Sequence, residues 1–350
     1  MTNFKHFISA AAIVLVLLGV LTLFTSAKKQ ITIFTIGDST MADKDISKGS
    51  PERGWGMVLQ GFFSEDIVVE NHAKNGRSSR SFIDEGLWNI VLSRIKPGDY
   101  VFIQFGHNDE KEDKPNSKRH TDPGSTFDAI LTKYVEETRE KGGIPVLFNC
   151  VERRLFFDKN KSQTLETPNG KADDETLRDT EYGDEEVNTQ YLVPTHFTIH
   201  GDYTVAPRLV AKNLNVPFID ANYITKIMEQ DHGVVGSRKL HVWLKPGEVA
   251  SIPKGRRDNT HYSVYGARTV SSLLIKEIGE KIPSLKKYIR HYDYVVSKQG
   301  RGNFLSLDDA VAAVPENTKA TILILDGIFT KPQTTKKIRY EVRSSAQLLR

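Results

Sequence analysis

The stretch ITIFTIGDSTMADK (residues 31–44) places a Gly-Asp-Ser tripeptide directly after six residues that are all β-branched or aromatic. Such a run is typical of a buried β-strand. Runs of similar character recur at residues 66–71, 99–105, 144–150 and 216–221. They do not alternate strictly between apolar and polar residues, which is typical of strands that are buried on both faces.

Segments with helical periodicity lie between these strand-like runs. Residues 126–143 are an example, with a glycine pair at the end and these side chains at helical spacing: Phe127, Ile130, Leu131, Tyr134, Val135 and Thr138. Alternating strands and helices predict an α/β fold in which helices cover both faces of a parallel sheet. Ligands bind such sheets at the carboxyl ends of the strands, and Ser39 lies at one of those ends.

Composition excludes several classes of function. The chain has 350 residues, of which 39% are hydrophobic, so it can bury the core of one large domain or two smaller ones. Its net charge is only +4 and the basic residues are scattered, which argues against a nucleic-acid partner. A single cysteine, Cys150, excludes an intrachain disulfide and a zinc site built from several cysteines, and we expect it to be an inert core thiol.

The N-terminus is predicted to direct export. Residues 1–27 combine Lys5, an apolar run over residues 7–24 and small residues before Lys28, which is the layout of a secretory signal cleaved after Ala27. The apolar run is also at the lower limit for crossing a bilayer, so an uncleaved membrane anchor is the alternative. With either outcome the remainder of the chain is expected to be secreted or periplasmic.

Two later segments differ in character from the rest. Residues 158–190 are polar and lean acidic, which predicts a long surface loop, either simply solvated or bordering the crevice. After a helix predicted over residues 263–280 the composition changes again, and the pattern there predicts a strand, a turn, a helix and a second strand.

Three spots carry candidate chemistry. A nucleophilic serine needs a general base, and the base needs an orienting acid. An aspartate three residues before a histidine in one turn can reach Nδ1 of that histidine, so Asp258 and His261 are the candidates to orient and activate Ser39. The N–H groups of Ser39 and Gly76 and the amide of Asn108 are candidate donors for an oxyanion. This chemistry needs no metal or organic cofactor.

Each spot has a simpler interpretation when taken alone. The Gly-Asp-Ser tripeptide can be a turn, the Asp258-to-His261 spacing can cap a helix, and the residues around Asn108 can form an Asx turn. Their order along the chain and their positions after strand-like runs favour the catalytic interpretation.

These residues resemble the four sequence blocks of the SGNH (GDSL-type) hydrolases. More narrowly, residues 71–82, 104–111, 200–220 and 258–267 are similar to the rhamnogalacturonan acetylesterases of carbohydrate esterase family 12. The resemblance spans about residues 31–282 and implies a three-layer α/β/α sandwich. By the same resemblance Ser39 is the nucleophile, His261 the base and Asp258 its orienting acid, while Gly76 and Asn108 complete an oxyanion hole with the Ser39 amide.

The C-terminal segment resembles a different family. Residues 296–329 are similar to the start of the pectin methylesterases, where a right-handed parallel β-helix begins. The catalytic acids and arginine of that family lie beyond the matching part, so we expect no methylesterase activity. A single coil should not be stable alone, because such coils bury their core by stacking. The predicted division is an esterase domain over residues 28–285 and a truncated β-helix-like fragment over residues 290–350.

The resemblance implies an exported serine esterase that removes acetyl groups from a pectic polysaccharide, with rhamnogalacturonan as the expected polymer. Arg77 is a candidate contact for galacturonate carboxylates and Trp243 for a sugar ring, with surface and core roles as the alternatives. Two other functions stay open on the sequence: a general short-acyl or lipase-like GDSL hydrolase, and a non-catalytic wall-binding protein.

Overall fold

The computed structural model describes residues 30–111, 118–154, 156–158, 190–192 and 201–350. The strands are, in chain order, β1 (Ile31–Gly37), β2 (Glu52–Arg53), β3 (Ile67–Asn71), β4 (Tyr100–Gln104), β5 (Ile144–Phe148), β6 (Phe156–Asp158), β7 (Gln190–Leu192), β8 (Phe218–Ile219), β9 (His241–Leu244), β10 (Arg256–Ser263), β11 (Tyr294–Ser297), β12 (Lys319–Thr330), β13 (Lys337–Val342) and β14 (Ala346–Leu349). The α-helices are α1 (Ser79–Asp84), α2 (Leu87–Leu92), α3 (Thr126–Glu140), α4 (Ala206–Leu214), α5 (Ala221–Gly236), α6 (Val264–Lys281), α7 (Pro283–Lys286) and α8 (Leu307–Ala313). Short 3₁₀ helices cover Gly56–Phe62, Gly201–Tyr203 and Ser237–Leu240.

A parallel sheet occupies the centre of the described residues, and its five strands lie in the order β3-β1-β4-β5-β8. These are the five strands predicted from the sequence. β1 lies between β3 and β4, and Gly37 at its end is paired with Gln104 at the end of β4. The loops that follow β3, β1 and β4 therefore leave the same edge of the sheet side by side.

Helices cover both faces of this sheet, which confirms the predicted three-layer α/β/α arrangement. On one face Ile33, Phe102 and Phe148 pack in a core with the 3₁₀ helix Gly56–Phe62, α5 and α6. On the other face Phe34 and Ile103 pack in a second core with α1, α2, α3 and α4. Five of the six side chains predicted at helical spacing in α3 are buried, namely Phe127, Leu131, Tyr134, Val135 and Thr138, and the sixth, Ile130, is partly buried against the same core.

A small antiparallel sheet, β2-β10-β9, carries the segment that precedes α6. Ser263 at the end of β10 pairs with Glu52, and its hydroxyl accepts the N–H of Gly266 at 3.1 Å and so caps α6. The pairing of β10 with β9 is interrupted between Arg257 and Tyr262. Residues 258–261, which the sequence placed in a turn before the helix, thus lie in a strand at a point where its regular pairing is broken.

The C-terminal segment forms its own parallel sheet, in which β12 pairs with β11, β13 and β14. One face of this sheet packs against α8, and the other carries a cluster of Tyr292, Val295, Leu323 and Leu325. The methyl groups of Val295 lie 3.3 Å from where a side chain on Gly61 would begin, so this second face contacts the 3₁₀ helix Gly56–Phe62 that covers the central sheet. The predicted order of strand, helix and strand is present, while a β-helix-like coil stays a prediction.

Two predictions fall largely outside the described residues. The proposed signal over residues 1–27 lies outside them, as does most of the insertion at residues 158–190. The two ends of this insertion, Asp158 and Gln190, lie on β6 and β7, which pair antiparallel. None of the helices in the described part of the chain has the length and apolar character needed to cross a membrane. The thiol of Cys150 is fully buried.

Candidate active site

Ser39 follows β1 in a turn that Asp38 holds in place. A side chain on Gly37 would begin 2.6 Å from the carbonyl oxygen of Gln104, so only glycine fits where β1 passes β4. The buried carboxylate of Asp38 accepts the N–H of Thr40 at 2.9 Å and its hydroxyl at 2.7 Å. Asp38 therefore fixes the backbone around Ser39.

The structure brings Ser39, His261 and Asp258 together. Nε2 of His261 lies 2.9 Å from Oγ of Ser39, although 222 positions separate the two residues in the chain. Nδ1 of the same ring lies 2.9 Å from Oδ2 of Asp258. Oδ1 of Asp258 accepts the backbone N–H groups of Thr260 and His261, each at 2.8 Å, which holds the carboxylate in the gap of the β10 pairing.

The charge of Asp258 determines how the imidazole is protonated. Burial alone raises the pKa of Asp258, but its hydrogen bond with His261 and the positive charges of His261 and Arg256 outweigh burial and hold the pKa well below its usual range. An ionised carboxylate can only accept hydrogen bonds, so Nδ1 of His261 carries the proton that it donates to Asp258. The lone pair on Nε2 then faces the hydroxyl of Ser39, which is the arrangement that proton abstraction requires.

Gly76 reaches the same edge of the sheet because the segment after β3 continues alongside β1. The N–H of Lys74 donates to the carbonyl of Gly37 at 2.9 Å. Gly76 itself has φ +75°, and nothing lies within 4 Å of where its side chain would begin, so its backbone conformation is what favours glycine. In the part of the chain that the structure describes, the N–H groups of Ser39 and Gly76 donate to no protein acceptor.

Asn108 follows β4 and ties this loop to the one that carries Gly76. Its Nδ2 donates to the carbonyl of Arg77 at 3.1 Å, which leaves its second amide proton available to a ligand. The three predicted oxyanion donors thus come from the loops after β1, β3 and β4, which are neighbours in the sheet.

Asp109 is a structural centre of the site, although in the sequence it stands out only as one residue of the stretch 104–111. Its fully buried carboxylate accepts the N–H and hydroxyl of Ser79, the hydroxyl of Thr121 at 3.0 Å and the N–H of Gly106 at 3.1 Å. Burial raises the pKa of Asp109 to about 7, although these hydrogen bonds oppose the rise. Asp109 therefore joins the loop after β4 to the start of α1.

A chain of alternating charges beside the triad was also missed. Lys44 lies 2.7 Å from Oε1 of Glu52, and Oε2 of Glu52 accepts Nη1 of Arg256 at 2.9 Å. Arg256 in turn forms an ion pair with Oδ2 of Asp258. The sequence contains one indication of the contact between Arg256 and Asp258: residues two apart lie on the same face of a β-strand. The prediction of a turn over residues 258–261 gave no reason to expect this contact.

The two residues predicted to contact substrate, Arg77 and Trp243, both bond to other protein groups. Arg77 donates from Nε and Nη2 to Glu85, at 2.9 and 2.7 Å. The indole of Trp243 donates to Asn259 at 2.9 Å, and the guanidinium of Arg154 lies 4.6 Å from its ring centroid. Contact of Arg77 or Trp243 with substrate stays a prediction.

The arrangement contains the parts of an acyl-transfer site: a hydroxyl beside an imidazole, a carboxylate behind the imidazole, and hydrogen-bond donors from neighbouring loops. Among the described residues, no group of three or more His, Cys, Asp or Glu side chains is placed to hold a metal ion.

Comparison with known proteins agrees with this chemistry. The GDSL-like Lipase/Acylhydrolase family matches residues 35–242. The chain is also 36% identical over 274 residues to rhamnogalacturonan acetylesterase RhgT of Bacillus subtilis, a match that covers 78% of this chain and 98% of the relative. The chain belongs to the GDSL-like Lipase/Acylhydrolase family. It is a carboxylic ester hydrolase.

Two further matches bear on this GDSL hydrolase. The probable rhamnogalacturonan acetylesterase YesY of Bacillus subtilis is 34% identical over 251 residues, which cover 71% of this chain and 92% of the relative. The crystal structure of protein YxiM from Bacillus subtilis aligns with a TM-score of 0.50 at 21% identity, and the match covers 72% of this chain but only 56% of YxiM. At that identity the structural match supports the fold and nothing finer.

Proposed function

We propose that this GDSL hydrolase is an exported serine esterase that removes O-acetyl groups from rhamnogalacturonan through an acetyl-serine intermediate. The observation that carries the mechanism is the 2.9 Å contact between Nε2 of His261 and Oγ of Ser39. The substrate class rests on the relatives RhgT and YesY, which are named for rhamnogalacturonan acetylesterase activity and are 36% and 34% identical to this chain.

In the first half of the proposed reaction, Oγ of Ser39 attacks the carbonyl carbon of the acetyl group while Nε2 of His261 takes the hydroxyl proton. The carbonyl oxygen becomes an oxyanion, which the N–H groups of Ser39 and Gly76 and the side-chain amide of Asn108 stabilise. One well-placed donor of this kind contributes about 3–4 kcal/mol to catalysis. Collapse of the tetrahedral intermediate breaks the bond to the sugar oxygen, and His261 returns the proton to that oxygen.

In the second half, a water molecule replaces the sugar. His261 takes a proton from the water as it attacks the acetyl-serine, and the same donors hold the second oxyanion. Acetate leaves when the bond to Oγ of Ser39 breaks and the proton returns to Ser39. Asp258 keeps its negative charge throughout and stabilises the imidazolium that forms in each half.

Acetate release from three substrates tests the proposed specificity. The purified protein should release acetate from acetylated rhamnogalacturonan faster than from acetylated xylan, and should act poorly on a long-chain nitrophenyl ester. Preference for the long chain would instead make the protein a lipase-like member of the family. If the signal is cleaved as proposed, protein recovered from the culture medium should begin at Lys28.

A fluorophosphonate probe tests the proposed nucleophile independently of the substrate. The probe should label the native protein and fail to label Ser39→Ala. Ser47→Ala is a matched control, because Ser47 is an exposed serine in the same loop and its loss should leave labelling unchanged. Equal labelling of Ser39→Ala and the native protein would refute the mechanism.

A further inference from the structure

The ammonium group of Lys44 is buried between the loop after β1, the loop after β3 and strand β2. Nζ lies 2.6 Å from the backbone carbonyl oxygen of Ser39, 2.8 Å from Oδ1 of Asn75 and 2.7 Å from Oε1 of Glu52. The side chain is only 5% exposed. An ammonium group has three protons, and here each has an acceptor on a different segment of the chain.

Two of these acceptors adjoin the proposed oxyanion donors. The Ser39 carbonyl belongs to the same residue as one donor N–H, and Asn75 immediately precedes Gly76, which supplies another. Other bonds also join the two loops: the N–H of Lys74 donates to the carbonyl of Gly37, and Nδ2 of Asn71 donates to the carbonyl of Met41 at 2.9 Å and to Oδ1 of Asp43 at 2.6 Å. Lys44 differs from these because it bonds Ser39 itself and the residue next to Gly76.

The third acceptor connects Lys44 to the triad. Glu52 bonds Lys44 through one carboxylate oxygen and Arg256 through the other, and Arg256 bonds Asp258. The nucleophile loop is therefore linked to Asp258 by a continuous series of ion pairs as well as by the Ser39–His261 contact.

We propose that Lys44 is a positioning residue: its ammonium group sets the spacing between the Ser39 loop and the Gly76 loop, and holds both in register with the Asp258–His261 pair. This role rests on the proposed function, because it matters only if Ser39 is the nucleophile and the two loops supply oxyanion donors.

The burial of a charge at this position supports a specific role. Taking an ammonium group out of water is costly unless it is paired and fully hydrogen-bonded. Burial lowers the pKa of Lys44, and Glu52 opposes that effect. A neutral side chain of similar length, such as methionine, would fill the space but leave the Ser39 carbonyl and Oδ1 of Asn75 without their partner. The loops would then be free to separate by a fraction of an ångström.

The first test compares Lys44→Met with Lys48→Met, the same change at an exposed lysine four residues further along the loop. Turnover of 4-nitrophenyl acetate by Lys44→Met should fall by about 10- to 100-fold with little change in KM, because small misplacement of donors reduces catalysis by such factors. Labelling by the fluorophosphonate probe should slow by a similar factor. Lys48→Met should behave as the native protein.

The second test asks whether the charge itself is needed. Turnover by Lys44→Ala should rise when n-propylammonium is added and should not rise with 1-propanol, which has a similar size but no charge. Asn75→Ala removes one acceptor at an exposed residue and should lower turnover several-fold, which provides a readout if the Lys44 variants do not fold.

Several results would overturn the proposal. These are a folded Lys44→Met with native turnover, equal rescue by 1-propanol and n-propylammonium, or Asn75→Ala with unchanged turnover and labelling. Failure of the proposed function is distinguishable, because in that case Ser39→Ala itself would still react with the probe.

Discussion

Replacing Asp258 with asparagine tests the triad, because the structure dictates how the new amide must point. Oδ1 of Asp258 accepts two backbone N–H groups at 2.8 Å, so the amide oxygen of asparagine must take that position. The amide nitrogen then replaces Oδ2, where it faces Nδ1 of His261 and the guanidinium of Arg256. A donor at this place requires Nδ1 to be an acceptor, so the proton of the ring moves to Nε2.

The wrong tautomer removes the proposed base. With a proton on Nε2, His261 can donate to Ser39 but cannot accept its proton. Loss of tautomer control of this kind lowers turnover by roughly 10³- to 10⁴-fold, or about 4–5 kcal/mol of transition-state stabilisation. KM should change little, since Asp258 is buried and has no proposed contact with substrate.

The assay measures kcat and KM for 4-nitrophenyl acetate and for acetylated rhamnogalacturonan, with thermal unfolding as a check on the fold. Asp45→Asn is the matched control, because Asp45 is exposed in the loop after Ser39 and its loss should leave kcat unchanged. A folded Asp258→Asn that keeps more than about a tenth of native kcat would refute the orienting role. Nitrogen NMR of the imidazole checks the cause directly: a proton still on Nδ1 in the variant would refute the tautomer argument even if kcat falls.

Three other predictions concern stability and the loops. In the folded protein the pKa of Asp109 is about 7, whereas its ordinary value is 3.8. The folded state therefore binds this proton more tightly than the unfolded state, which stabilises the fold fully below pH 3.8. This stabilisation is lost as the pH rises through about 7. The difference in unfolding free energy between native protein and Asp109→Asn should therefore fall by about 2–3 kcal/mol from about pH 5 to about pH 7.5 in urea titrations, and a constant difference would contradict the raised pKa. Gly76→Ala should cost about 1 kcal/mol of stability from its positive φ and lower kcat at least several-fold, whereas Gly124→Ala, with φ +80° and equally open surroundings, should cost similar stability and leave kcat unchanged. Arg343→Met removes hydrogen bonds to the carbonyl of Phe63 and the hydroxyl of Tyr292. The free energy of unfolding from urea titrations should fall by about 1–3 kcal/mol. An unchanged free energy would show that Arg343 does not stabilise the contact between the C-terminal sheet and the rest of the protein.

The sheet was predictable because its middle strands β1, β4 and β5 are buried over most of their length, and burial of this kind leaves a direct mark on the sequence. The shortest strand shows the limit of that signal. A strand was predicted over residues 216–221, but β8 covers only Phe218–Ile219. Pro217 has no N–H to pair, and the side chain of Asp220 accepts the N–H of Tyr223 at 3.2 Å to cap α5, so the strand is confined between these two residues.

The site was predictable where a residue follows a strand-like run, as Ser39, Gly76 and Asn108 do, or where spacing within a short segment carries the geometry. The three-residue separation of Asp258 and His261 is local, and their contact could be foreseen. The links among Lys44, Glu52 and Arg256 depend on the register between β2 and β10, which pairs Ser263 with Glu52. A strand of two residues has no detectable periodicity, so these three charges looked like ordinary solvated side chains in the sequence.

The C-terminal segment was predicted to be unable to bury a core by itself. The structure shows a contact that the prediction did not include: its sheet places Val295 against Gly61, and Nε of Arg53 donates to the carbonyl of Gly300 at 2.9 Å. The side of the sheet opposite α8 thereby contacts the part of the chain that surrounds the central sheet. A single set of strands can be stable in this setting because another surface takes the place of a neighbouring coil.

The alternation of charge around Asp258 also explains how the site can hold ionised groups away from water. Lys44, Glu52, Arg256 and Asp258 carry two positive and two negative charges, so the network is neutral while His261 is neutral. In the proposed mechanism, proton transfer from Ser39 creates a positive imidazolium beside Asp258 and a negative oxyanion beside the Ser39 and Gly76 amides. These new charges appear as a pair, one next to the carboxylate and the other next to hydrogen-bond donors, so each is stabilised by groups that are in place before the reaction begins. Arg256 adds to this arrangement: its positive charge, the hydrogen bond with His261 and the backbone N–H groups at Oδ1 together outweigh the burial of Asp258 and keep the carboxylate ionised, which preserves the acceptor on which the tautomer of His261 depends.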